Sequence, residues 1–239
     1  MDHIIQHFRK EEQPFIEQVV GWQREVEDRY APKLTDFLDP RQRYIVQAII
    51  GQSSDLKTFC EGVFGDAERQ RVYIAPSYFV AEQQDFQITI FTIKYPTKFV
   101  QVKHPDVLGA LISLGLDRSK YGDIRVDENV IQFAVATEVA DYIRANLTSV
   151  GKVKVHAEEV SEQTPLIQLQ EEWNEKNVTV SSMRLDVIIA TVANISRQKA
   201  QNLIAAGKVK VNWTIRDQTS FEVQEGDIIY IHFSGHGQQ

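Results

Sequence analysis

Between Phe86 and His156 the apolar residues switch between two spacings, and the order of the switches admits few folds. Phe86 to Ile93 alternates apolar with polar residues, the period of a half-buried strand. Pro105 to Leu114 sets Val107, Leu108, Leu111 and Ile112 at helical spacing. Asp123-Ile124-Arg125-Val126 and Val130 to Ala136 read as strands, with Asp127-Glu128-Asn129 as the hairpin turn between them. Thr137 to Leu147 reads as a helix capped by Thr137 and stopped by Gly151, and Lys152 to His156 as a last strand. The order β-α-β-β-α-β is that of the ferredoxin-like split unit.

On either side the pattern differs. Residues 3–30 have helical periodicity (Ile4, Ile5, Phe8, Phe15, Ile16, Val19, Val20, Trp22, Val26), which Pro14 divides in two. Asp39-Pro40 is a helix start, carried through Tyr44, Ile45, Ala48 and Ile49 to Gly51. Phe64 to Gln70 is turn-like, and Arg71-Val72-Tyr73-Ile74 reads as a strand ending at Pro76. Ser161 to Asn177 is polar and acidic with one proline, a linker composition. The expected chain is α+β and multidomain. It has a mainly helical domain at 1–80, a ferredoxin-like (RRM-like) domain at 81–160, a linker at 161–177 and a small α+β module at 178–239.

The last module carries the chemistry. Ser181 or Ser182 can cap a helix containing Leu185, Ile188, Ile189 and Val192; Ser196 can cap a second, containing Ala200, Leu203 and Ile204 and stopped by Gly207. Arg184 falls in the first turn of one helix, and Arg197 and Lys199 in the first turn of the other. Cations there oppose the helix dipole, at a cost of a few tenths of a kcal/mol, and such a conflict suits a phosphate site. Lys208-Val209-Lys210-Val211 alternates, with both lysines on one face. Asp186, two residues after Arg184, reads as an orienting partner or a helix-start acid rather than a catalyst. The net charge is −7; from Val178 onward there are six Lys/Arg and five Asp/Glu, so the rest carries 20 minus 28, or −8. A local basic face on an acidic chain fits a positioned RNA contact better than indiscriminate polyanion binding.

The ferredoxin-like unit offers less. RNA-recognition sheets of this topology stack bases on central-strand aromatics. Here the third strand has Phe133 alone, and Phe86 and Phe91 fall on opposite faces by parity, so the rings read as core. Lys94, Lys98, Lys103 and His104 form either a phosphate contact or, more simply, a solvated loop.

Three motif groups in the module resemble the RNA-binding domain of the ribosomal protein S-four type. They are Arg184-Leu185-Asp186, then Ser196-Arg197 with Ala200, Leu203-Ile204 and Gly207, then Val209-x-Val211-Asn212 with Gly226-Asp227. Trp213 departs from the pattern, which has glycine after the asparagine. The tail Ser234-Gly235-His236-Gly237 lacks the arginines of an Arg-Gly-rich ending. Upstream, Phe37-Leu38-Asp39-Pro40-Arg41, Ile74-Ala75-Pro76-Ser77-Tyr78, His104 to Leu111, Leu114-Gly115-Leu116-Asp117-Arg118 and Gly122-Asp123-Ile124 look like the bacterial YlmH family. That resemblance implies a role in ribosome-associated quality control, with large-subunit rRNA and peptidyl-tRNA as partners. The family's genes lie near cell-division genes, which leaves a division-machinery protein open as an alternative partner. It implies RNA-binding roles for Arg184 and Arg197; Ser196, Lys199, Lys208, Lys210 and Asn212 complete the expected RNA-binding set, with Asp186 orienting.

An enzyme is the weaker reading. Pseudouridine synthases, which also carry this domain, use an Arg-Leu-Asp loop within a large catalytic domain, whereas here Arg184-Leu185-Asp186 lies inside the S-four pattern. Gly62 and Gly65 are too sparse for a phosphate loop. His232 and His236 share no helical face, so no metal site and no cofactor is expected. Cys60 is the one cysteine, which rules out an internal disulfide and a cysteine-based zinc cluster. No stretch approaches the ~20 apolar residues of a membrane span and the first ten residues lack a signal-peptide core, so a cytoplasmic monomer is expected.

Overall fold

The computed structural model describes residues 8–161, 163–168 and 175–232 and divides into two compact units, 1–170 and 171–239. Ile4, Ile5, residues 169–174 of the expected linker and the tail Ser234 to Gly237 lie outside the described residues.

The first unit opens with helix α1 (Gln13–Arg29), entered through a 3-10 turn at Lys10–Glu12. Pro14 does not interrupt α1; it sits in the first turn, where its missing N–H has no helical partner to lose. Ile16, Val19, Gln23 and Val26 recur at helical spacing and are buried. Helix α2 (Pro40–Ile50) is closed by a reciprocal cap: Asp39 Oδ1 accepts from Gln42 N at 2.8 Å, and Asp39 N donates to Gln42 Oε1 at 3.0 Å. These helices pack on a three-stranded antiparallel sheet of β1 (Lys33–Leu38), β2 (Leu56–Glu61) and β3 (Gln70–Pro76), in the order β1-β3-β2. The helical region is thus joined by two strands, β1 and β2, that the hydrophobic pattern does not announce.

The ferredoxin-like unit follows. Its strands β4 (Ile88–Lys94), β5 (Tyr121–Asp127), β6 (Val130–Ala136) and β9 (His156–Glu159) form an antiparallel sheet in the order β5-β6-β4-β9. Helices α3 (His104–Ser113) and α4 (Ala140–Asn146) cross between them. Phe91, Ile93, Ile131, Phe133 and Val135 face these helices in the largest core. Two expectations are corrected. Val153 and Lys154 belong to a small hairpin, β7 (Ser149–Val150) with β8 (Val153–Lys154), turned at Gly151 with φ +57°; the fourth strand is the following His156–Glu159. Thr137 does not cap a helix: it starts a 3-10 turn, and its hydroxyl meets that of Thr89 at 3.0 Å.

The second face of this sheet, the one a base-stacking domain keeps open, is covered from within. Ala134 and Ala136 pack with Phe37, Phe64 and Ala67 of the helical region, flanked by Ile88, Ile90 and Leu166. Gln132, buried in β6, donates to the Pro165 carbonyl at 3.0 Å and accepts from Ile167 N at 2.8 Å. The expected linker therefore begins as a docked segment.

Arginines fasten the seam. Arg71 donates to the carbonyls of Thr35 (2.8 Å) and Gln87 (2.9 Å) and pairs with Glu138. Arg125 pairs with Asp66 at 2.9 Å and Asp123 at 3.1 Å, while Asp123 accepts from the backbone N of Glu68 and Arg69. Arg69 and Arg118 both donate to the Tyr121 carbonyl, at 3.2 and 2.6 Å; burial, then the charge of Arg69, pull Arg118 down to about 10. Gly122 is needed for close approach: a Cβ there would lie 2.8 Å from the Phe37 ring.

The second unit is a helical hairpin on a small sheet. Helices α5 (Leu185–Val192) and α6 (Arg197–Ala205) are joined through Asn194, which holds φ +52°. Asparagine tolerates that left-handed position better than most residues. Strands β10 (Val209–Val211), β11 (Thr214–Ile215) and β12 (Ile229–Ile231) pair antiparallel in the order β11-β10-β12. Leu185, Ile189, Ala200, Ile204, Val209, Val211 and Val223 form the core. Gly207, at φ +67°, ends the second helix.

Candidate nucleic-acid interface

The site is built around a buried acid. Asp186 is the second residue of α5 and is fully buried. Its carboxylate accepts from Arg184 Nε (3.1 Å) and a terminal guanidinium nitrogen (3.3 Å), from Arg197 Nε (2.9 Å) and from Gln201 Nε2 (2.9 Å). Burial pushes the Asp186 carboxyl up, but the hydrogen bonds from Arg184, Gln201 and Arg197 outweigh it and hold the group well below the usual carboxylate range. The arginines remain open to solvent, with side chains 39% and 54% exposed. One carboxylate thus fixes two guanidinium groups side by side at the starts of two helices. Asp186 takes Nε of each arginine and one terminal N–H of Arg184, which leaves the other terminal N–H groups to meet an anion.

The local sequence explains the placement. Arg184 itself precedes α5, in an extended conformation (φ −68°, ψ 139°), and neither Ser181 nor Ser182 caps the helix. The first helical N–H groups instead meet a returning loop, Leu185 N donating to the Phe221 carbonyl at 2.8 Å and Asp186 N to that of Thr219 at 3.2 Å. Arg184 also bridges to Glu222 through the backbone. Ser196 caps α6, its hydroxyl oxygen accepting from Lys199 N at 3.2 Å. Gln201 lies four residues after Arg197, on the same helical face, and that spacing is the signal by which sequence reading could have found it.

The other expected contacts are not all on one face. Lys199 is two residues beyond Arg197, about 200° around the helix. Lys210 is exposed in mid-β10, between buried Val209 and Val211, while Lys208 precedes the strand, half-buried. Asn212 is committed to the framework: its amide nitrogen donates to Asp227 at 2.8 Å, and its oxygen accepts from Ile228 N at 3.0 Å. In the middle domain Lys98, Lys103 and His104 are exposed, and Lys94 lies 3.8 Å from Glu158. Among the described residues no group of three His, Cys, Asp or Glu is placed to hold a metal ion, and no helix is long and apolar enough to cross a membrane.

A helical hairpin with paired arginines, on a small sheet, downstream of a ferredoxin-like unit, defines a multidomain protein with an S4 domain. Family models agree: residues 11–79 match “YlmH, N-terminal”, 81–164 match “Putative RNA-binding domain in YlmH”, and 183–229 match “S4 domain”. The chain belongs to the YlmH family. It is 41% identical over 238 residues to the “Ribosome-associated protein quality control protein P2” of Bacillus subtilis (strain 168), covering 98% of this chain and 91% of that one. It is also similar to the solved “Cell division protein ylmH from Streptococcus pneumoniae”, with a TM-score of 0.57 and 34% identity, covering 66% of this chain and 98% of that one.

Proposed function

We propose that this chain binds RNA on the large ribosomal subunit, against rRNA and peptidyl-tRNA, and acts as a cytoplasmic monomer in quality control of stalled nascent chains. The observation that carries the reading is the buried Asp186, which holds Arg184 and Arg197 together and half-exposed. Guanidinium groups fixed in one orientation favour bidentate phosphate contact over loose charge attraction. Lys199, Lys208 and Lys210 add positive charge to the unit for phosphate neutralisation, Ser196 caps the helix that carries Arg197, and Asn212 ties its turn to Asp227 and Ile228. The name of the B. subtilis relative supplies the ribosomal setting.

The test is co-sedimentation with large subunits across a salt series. Arg184→Ala and Arg197→Ala should each weaken association about tenfold, the scale of one charge-assisted hydrogen bond, and should flatten the salt dependence. Full ribosome binding by both variants would overturn the reading. The name of the pneumococcal relative favours a second one, contact with a protein of the division machinery. Recovery of such a protein after nuclease treatment, undiminished by Arg184→Ala, would favour it over the ribosomal role.

A further inference from the structure

We propose that the outer face of the small C-terminal sheet is a stacking platform for an unpaired RNA base, formed by Trp213 and Tyr230 beside Lys210. The proposal rests on RNA being the ligand of this unit and names the kind of RNA feature it engages. Val211 pairs with Thr214, so Asn212 and Trp213 form a two-residue turn, with φ +49° and +64°. Both positions of such a turn are left-handed, which suits asparagine at the first and glycine at the second. Trp213 holds the second position although its Cβ makes that conformation sterically unfavourable. Burial does not explain the choice. Trp213 is half-buried, and neither it nor Tyr230 belongs to the apolar core of the unit.

The indole ring instead lies against Tyr230, with ring centroids 5.3 Å apart and planes at 54°. Strand register sets what surrounds the pair. Lys210 sits opposite Tyr230 on one side and Ile215 on the other, while its neighbours Val209 and Val211 point inward. Tyr230, Lys210 and Ile215 therefore share the outward face, where Ile215 is 57% exposed. An aromatic pair next to an ammonium group and an apolar side chain matches a base with its own phosphate. Such stacking tolerates any base but requires one free of a duplex. A backbone strained to display an aromatic ring is the pattern of a binding position.

The experiment compares full-length wild type, Trp213→Gly and Trp213→Phe. Each is titrated with two labelled RNA hairpins that share a stem, one with unpaired bulged bases and one without. Wild type should prefer the bulged RNA. Trp213→Gly should lose about tenfold in affinity for it, keep its affinity for the plain stem, and melt at the same temperature as wild type or higher, since Asn-Gly is the easier turn. Trp213→Phe should retain most of the preference. An unchanged preference in Trp213→Gly, or equal wild-type affinity for both hairpins, would overturn the proposal. Loss of ribosome association by Trp213→Gly with RNA preference intact would assign the rings to a protein contact and overturn it too. Failure of the platform leaves the effects of Arg184→Ala and Arg197→Ala in place; failure of the RNA reading removes them.

Discussion

Arg71 and Arg125 in the first unit, like Arg184 and Arg197 in the second, each pair with a carboxylate, but the two arrangements are inside out. At the seam the cation is buried and the acid partly exposed: both arginine side chains are 5% exposed, Glu138 41% and Asp66 27%. In the C-terminal unit the acid is at 0% and the arginines at 39% and 54%. A buried guanidinium has to satisfy its donors internally, and Arg71 does so on two carbonyls and Glu138. A buried carboxylate has only acceptors to satisfy, so three side chains converge on it, and the two arginines among them stay open to solvent. The first arrangement fastens one domain to another; the second presents charge in a set orientation.

The contrast can be broken first at the seam. Arg125→Ala leaves Asp66 and Asp123 without their cation and should cost about 3–5 kcal/mol of stability, read by chemical denaturation. A cost below about 1 kcal/mol would mean the seam does not depend on it. Gly122→Ala should cost about 1–3 kcal/mol through overpacking against Phe37, with part of the loss recovered in the double variant Phe37→Leu. Arg197→Ala should cost less, about 1–2 kcal/mol, because the buried Asp186 loses one donor but keeps Arg184 and Gln201, while still weakening ribosome association. Equal stability losses for Arg125→Ala and Arg197→Ala would erase the distinction between the two regions.

Much of this architecture was legible in the sequence, and the exceptions have physical reasons. The ferredoxin-like order was readable because β4 and β6 bury alternate large apolar residues. Strand β1 was not, because Thr35 is one of its buried residues, engaged with Val72 N at 3.0 Å, and Phe37 faces the other way into the seam. Strand β2 is an edge with only Leu56 buried. The fourth strand of the second sheet has one buried residue, Ala157, so the apolar signal at Val153 points to a strand that starts four residues before the observed one. At the site, Arg184 and Arg197 could be picked out because cations at helix starts oppose the dipole, and Asp186 by its place two residues after Arg184. Gln201 looked like any surface polar residue, and the engagement of Asn212 with Asp227 depends on a loop fifteen residues away.

The central claim is that Asp186 acts by orienting Arg184 and Arg197, and its direct test is Asp186→Asn in ribosome binding at several salt concentrations. The substitution makes the chain one charge more positive, so attraction alone predicts tighter binding. Orientation predicts the opposite, a loss of about tenfold, or roughly 1.4 kcal/mol. A control for folding comes from pH. The folded pKa of Asp186 is depressed, so its contribution to stability is complete above the unfolded value of about 3.9 and is lost as pH falls toward the folded one. The stability gap between wild type and Asp186→Asn should therefore hold constant from pH 7 to 5 and shrink only below about pH 4. Weaker ribosome binding by a folded Asp186→Asn chain is the result the account predicts; equal or tighter binding would contradict it.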